Sequence, residues 1–199
     1  MTISVDINEV LRDFLNKLKK TYTKYTELDP IEPIDSLELE RYFIFEEDGE
    51  TIESFLYDEA SLEIFGHADE LRVNTISHLN NLNDTIKDLG HKLEIVSVEM
   101  GNSKPATLFF LSKTGCKVDR IRFVSKPSDM WSESDIIITA NPSVLNSKPN
   151  DKVSIKVDCQ YNTEIKSDYS IEKIKDIIDQ NLIEKLTTSI TIEYTDIDE

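Results

Sequence analysis

Cysteine is nearly absent from this chain. Cys116 and Cys159 are the only two among 199 residues, and their spacing fits neither a disulfide framework nor a pair of metal ligands. Both are expected as reduced, partly buried thiols. Histidine is as sparse: His67, His78 and His91 show no metal-ligand spacing. No apolar run approaches the ~20 residues that a membrane helix needs, so no spanning segment is expected. Asp6 and Glu9 interrupt the apolar residues near the start, which argues against an export signal and for a cytoplasmic protein. Positive charge is also in short supply, with 22 Lys and Arg against 39 Asp and Glu, a net charge of −17. Such a surface repels nucleic acid and anionic lipid, so neither is expected as a partner. It does not bar a small anionic ligand, which responds to local donors.

What is present is globular: 39% hydrophobic and 31% charged residues, in a length that suits one domain with an insert. The stretch Ile3-Ser4-Val5-Asp6-Ile7-Asn8-Glu9-Val10 places an acid at the end of an apolar, β-branched run. Asp6 is therefore expected at the carboxyl end of a strand, where open α/β sheets hold ligands. An amphipathic helix is expected from Glu9 to about Tyr25, with its free N–H groups beside Asp6. Asp29-Pro30 and Glu32-Pro33 then mark a boundary. The acidic, aromatic stretch from Ser36 to Gly66 reads as an insert with short helical pieces and a turn at Asp48-Gly49.

A second long helix is expected from about Asp69 to Leu89, closed by Gly90. Strands are expected at Leu93–Val96, Arg120–Val124, Ile136–Thr139 and Val153–Val157. Ser103-Lys104-Pro105 opens a helix between the first two of these, closed by Gly115. Ile171 to Leu186 reads as a closing helix. The alternation through Leu186, Thr188, Ile190, Ile192 and Tyr194 reads as an extra strand, pairing with the domain's own edge or a partner's. Strands alternating with helices make this an α/β protein with a mostly parallel, Rossmann-like sheet covered on both faces. The expected core is 1–25 and 90–186, the cap insert 26–89, and the strand and acidic tail 187–199.

In this order the motifs resemble the haloacid dehalogenase-like phosphohydrolases, and among them the 5′(3′)-deoxyribonucleotidase type found in tailed phages. Val5-Asp6-Ile7-Asn8-Glu9-Val10-Leu11 stands where that family has its strand and Asp-x-Asp motif. Ile95-Val96-Ser97 matches its second-strand Ser or Thr, and Phe123-Val124-Ser125-Lys126 its lysine. Asp135 to Pro142 matches the strand that ends in two acids, and Ile155 to Asn162 a closing strand with a Tyr-Asn pair. A second alignment would make Lys104 the lysine. It is set aside because Ser97 and Lys104 lie too close for the strand expected between them.

The resemblance implies Asp6 as nucleophile, Ser97 and Lys126 as phosphate-binding residues, and Mg²⁺ on Asp6. The departures imply loss of catalysis. Asn8 stands where the proton donor belongs and cannot serve as a general acid. Thr139-Ala140 replaces the acid pair, leaving Asp6 a weak metal ligand. The expected function is a catalytically degenerate fold kept as a structural or binding module, engaging other protein subunits in a virion or the host cytoplasm. The alternative is a Mg²⁺-dependent 5′-nucleotidase with weak or altered activity, with Asp129 or Asp158 completing the metal site. A binder of a basic protein ranks third. Each site residue also has a plain reading: Asp6 as a strand-end acid, Ser97 as a turn residue, Lys126 as a solvated loop lysine.

Overall fold

A computed structural model describes residues 1–46 and 49–186. The extra strand read at 187–194 lies outside these, as does Asp48 of the turn read at Asp48-Gly49. Six strands form one parallel sheet: β1 Thr2–Val5, β2 Lys92–Val98, β3 Ile121–Val124, β4 Ile136–Thr139, β5 Val153–Val157 and β6 Tyr169–Ile171. Their order across the sheet is β3-β2-β1-β4-β5-β6. The chain therefore steps one way from β1 to β3 and then returns past β1 to build the other half. The reversal falls between β1 and β4, whose ends form the crevice where ligands of open sheets bind.

Strand residues alternate between two packed faces. Ile3, Val5, Ile95, Ile136, Ile138, Ile155 and Val157 form one cluster with three helices, α3 Thr75–Asp88, α4 Ser103–Lys113 and α6 Ile174–Asp179. On the other face Val96 and Ile137 meet Met130 and Trp131 of the 3₁₀ turn Pro127–Glu133, and Val144 of α5 Pro142–Asn146. Both faces are thus covered, as the near-continuous apolar strands require.

A third cluster lies above the strand ends. Helix α1 Phe14–Thr26 contributes Phe14, Leu15, Leu18 and Tyr22 to it. Tyr42, Phe43, Phe55, Leu56, Ile64 and Phe65 come from the segment that follows. That segment holds only short pieces: a 3₁₀ turn at Leu39–Arg41, α2 Ile52–Ser54, and wide π turns at Phe55–Glu59 and Leu62–Gly66. Tyr22 gathers Phe43, Phe45 and Phe55 edge-on at 5.1–6.3 Å, a geometry aromatic quadrupoles favour. Within the expected insert 26–89, α3 packs with the sheet and the residues before it with α1.

Several elements differ from the sequence reading, and the second long helix starts at Thr75 rather than about Asp69. The first helix starts at Phe14, not Glu9. Residues 7–12 form a tight loop in which the N–H groups of Val10, Leu11 and Arg12 all point to the Ile7 carbonyl, with Glu9 at φ 55°. The helix N–H groups therefore do not lie beside Asp6, and an anion cradle of that kind is absent. Tyr169–Ile171 adds a sixth strand, too short for periodicity to reveal. The closing helix is interrupted, with α6 ending at Asp179, Asn181 at φ 49°, and helix again at 182–186. Gly90 and Gly115 follow their helices at φ 78° and 73°, as the closing glycines predict.

Candidate functional site

Asp6 extends β1 by one residue, its N–H donating to the Ile138 carbonyl at 2.9 Å. Its carboxylate sits where three strand ends meet. From β4, the Thr139 hydroxyl donates to Oδ2 at 2.7 Å; from β2, the Ser97 hydroxyl reaches Oδ1 at 3.4 Å. The N–H of Ile7 also donates to Oδ1, at 2.8 Å. Asp6 is only 4% exposed, and burial pushes its carboxyl up to about 6 against the pull of these donors. Residues separated by 91 and 133 positions are thus joined on one carboxylate.

Asn8, which the resemblance sets where a proton donor is expected, is held by an internal cation. Its Oδ1 accepts from Arg12 Nε at 2.9 Å and from Nη2 at 2.5 Å. Arg12 is fully buried, and its remaining N–H groups reach the Phe65 carbonyl (2.8 Å), the Thr107 hydroxyl (2.8 Å) and Glu99 Oε1 (3.0 Å). The guanidinium carries five N–H groups, and these five bonds engage all of them. It also lies over the rings of Phe65 and Phe110, at 4.9 and 5.5 Å from their centroids. Thr107 in turn donates to Glu99 Oε1 at 2.9 Å. Arg12, Glu99 and Thr107 are the residues that sequence reasoning missed. The one local signal is that Arg12 directly follows the apolar pair Val10-Leu11; its partner Glu99 lies 87 residues away and no local pattern points to it.

The expected phosphate lysine is elsewhere. Lys126 is exposed at the start of the 3₁₀ turn after β3, and it does not line the cavity above Asp6. Lys156, in β5, is buried, but its ammonium group is held by the carbonyls of Asn162 and Ile165 and by Asp158. Asp129 and Asp158 are exposed and do not line the cavity either. Asn162, of the expected Tyr-Asn pair, ties strand ends together: its amide donates to the carbonyls of Ala140 and Val157, both at 2.9 Å.

The cavity has a volume of about 170 Å³. Its floor is Asp6, Asn8, Ser97 and Asn141, and Tyr161 closes one side. A wall of stacked rings covers it, with Phe65 between Phe14 (5.5 Å) and Tyr57 (5.8 Å). Burial pushes the Tyr57 phenol up to about 12, so it stays neutral.

Mg²⁺ takes hard oxygens in near-octahedral order, commonly with one or two carboxylates. Both Asp6 oxygens accept protein donors, the β4 neighbour is a hydroxyl, and Glu99 is paired with Arg12. Among the described residues no group of three His, Cys, Asp or Glu side chains is placed to hold a metal ion. The donor set does not fit the ion.

No protein-family model matches the chain, and no curated protein matches it. Among solved structures it is similar to a Thermotoga maritima protein provisionally described as a beta-phosphoglucomutase. That similarity has a TM-score of 0.51 at 11% identity and covers 92% of this chain and 98% of the other. No described helix is long and apolar enough to cross a membrane. Strand order and this likeness together give the chain a Rossmann-like α/β fold, one parallel six-stranded sheet covered by helices on both faces, shared with that neighbour over 92% of the chain.

Proposed function

We propose that this protein is a binding module on a haloacid dehalogenase-like fold and does not split phosphate esters efficiently. The observation that carries the reading is Asn8, which stands at the proton-donor position with its oxygen bound twice by Arg12. An amide offers the leaving group no acidic proton, and this one is held by a buried cation. Two features support it. Thr139 occupies the acid position on β4, and every N–H of Arg12 is engaged, so that cation is not free to hold phosphoryl oxygens. The cap is then everything between α1 and α3, and a phage-encoded role in assembly with other protein subunits is the setting we favour.

The test is release of inorganic phosphate from p-nitrophenyl phosphate and deoxynucleoside 5′-monophosphates with Mg²⁺. The wild type and Asp6→Asn should both stay at the background rate. Turnover that vanishes in Asp6→Asn would overturn the proposal.

One observation favours a second reading, a weak phosphohydrolase with Asp6 as nucleophile. The Ser97 hydroxyl stands beside Asp6 at 3.4 Å, and a second carboxylate, Glu99, lies 3.5 Å from that hydroxyl. The same assay decides between them.

A further inference from the structure

We infer that the cavity above Asp6 takes a small organic cation, an amine carried on a ring-sized apolar body, rather than a phosphate. The inference rests on the binding-module reading above and names the class of ligand.

Charge comes first. Among the described residues, no Lys, Arg or His lines the cavity, while its floor carries the Asp6 carboxylate. Arg12, the nearest buried cation, has no N–H left for a guest. An anionic ligand would meet a carboxylate with no free counter-charge; a cation would meet its complement. The −17 net charge acts the same way at longer range, concentrating cations at the mouth.

Geometry agrees. A carboxylate offers about four acceptor sites. Asp6 Oδ1 takes the Ile7 N–H and the Ser97 hydroxyl, whereas Oδ2 takes only Thr139. One acceptor position on Oδ2 remains for an ammonium N–H. The walls are Phe14, Phe65 and Tyr57 in a stack, with Leu37 and Leu56 beside them. Their apolar bulk keeps water from an ion pair formed on Asp6, which strengthens it. A volume of about 170 Å³ suits one ring, since cavities of ~150 Å³ hold benzene.

The test titrates the full chain by calorimetry with three probes of one shape: benzylamine, benzyl alcohol, and phenyl phosphate with and without Mg²⁺. Benzylamine should bind at least tenfold tighter than benzyl alcohol. Asp6→Asn should abolish that preference while keeping alcohol binding, and Tyr57→Leu should weaken both. Should Asp6→Asn fail to fold, judged by circular dichroism, the amine-to-alcohol ratio on wild type and Tyr57→Leu decides alone. Equal binding of amine and alcohol, or binding of none of the probes, overturns the inference and leaves the binding-module reading standing. Tight binding of phenyl phosphate with Mg²⁺ overturns the inference, and release of inorganic phosphate from it overturns the binding-module reading as well.

Discussion

Arg12 shows what a single buried charge does to its surroundings. Removing a charge from water costs several kcal/mol, and the cost is offset only where every polar atom finds a partner. Arg12 meets that condition on all five N–H groups, yet Glu99 Oε2 finds none among the described residues. Arg12→Met should therefore lower stability by about 3–5 kcal/mol, because Glu99 would be left charged and unpaired. The double variant Arg12→Met with Glu99→Leu should recover most of that loss, and urea unfolding of the two proteins measures the difference. Glu9 gives a pH prediction. Burial pushes its carboxyl from the usual 4.5 up to about 7, although it accepts the Leu15 N–H at 2.7 Å. The folded chain keeps a proton that the unfolded chain loses, so stability falls as pH rises from about 4.5 to 7 and levels off above. Asp6, raised to about 6, acts in the same direction. Glu9→Gln keeps the acceptor and removes the titration, so melting temperatures measured across that window should show a flatter slope than wild type.

At the scale of elements, what the sequence made legible depended on how local the signal was. Strands Ile136–Thr139 and Val153–Val157 stand where apolar runs between turn residues predict them. The glycines after α3 and α4 sit at positive φ, which a Cβ disfavours, so their residue type carried the boundary. The start of α1 was not legible. Val10, Leu11 and Phe14 have helical spacing, but the buried core around the loop outweighs propensity and directs three N–H groups to one carbonyl. In the site, the positions of Asp6, just after β1, and Ser97, next to the last residue of β2, could be read because both stand by the end of an apolar run. Their junction with Thr139 depends on the sheet order, which brings β4 beside β1 across more than a hundred residues. The Arg12–Glu99 pair was invisible for the same reason. Lys126 follows β3 in the chain, but β3 is the sheet's edge strand, and the lysine stands exposed outside the cavity.

The whole molecule joins the clusters on the two faces of the sheet to the aromatic cluster above the strand ends, in a chain of strongly acidic composition. Like charges spread over one compact particle repel, and salt screens that repulsion over a Debye length of roughly 10 Å at 0.1 M. Its melting temperature should rise between 10 mM and 300 mM NaCl, and scanning calorimetry at fixed pH checks the direction. The bond from Arg12 to the Phe65 carbonyl has a consequence for how anything gets in or out. It pins the roof to the floor from inside, so swinging the roof away on a hinge would break a buried charge-assisted hydrogen bond and uncover the Arg12–Glu99 pair beneath it. Guests must instead slip past rotating side chains at the rim, and traffic should be slow in both directions. The chamber resembles a locket more than a jaw.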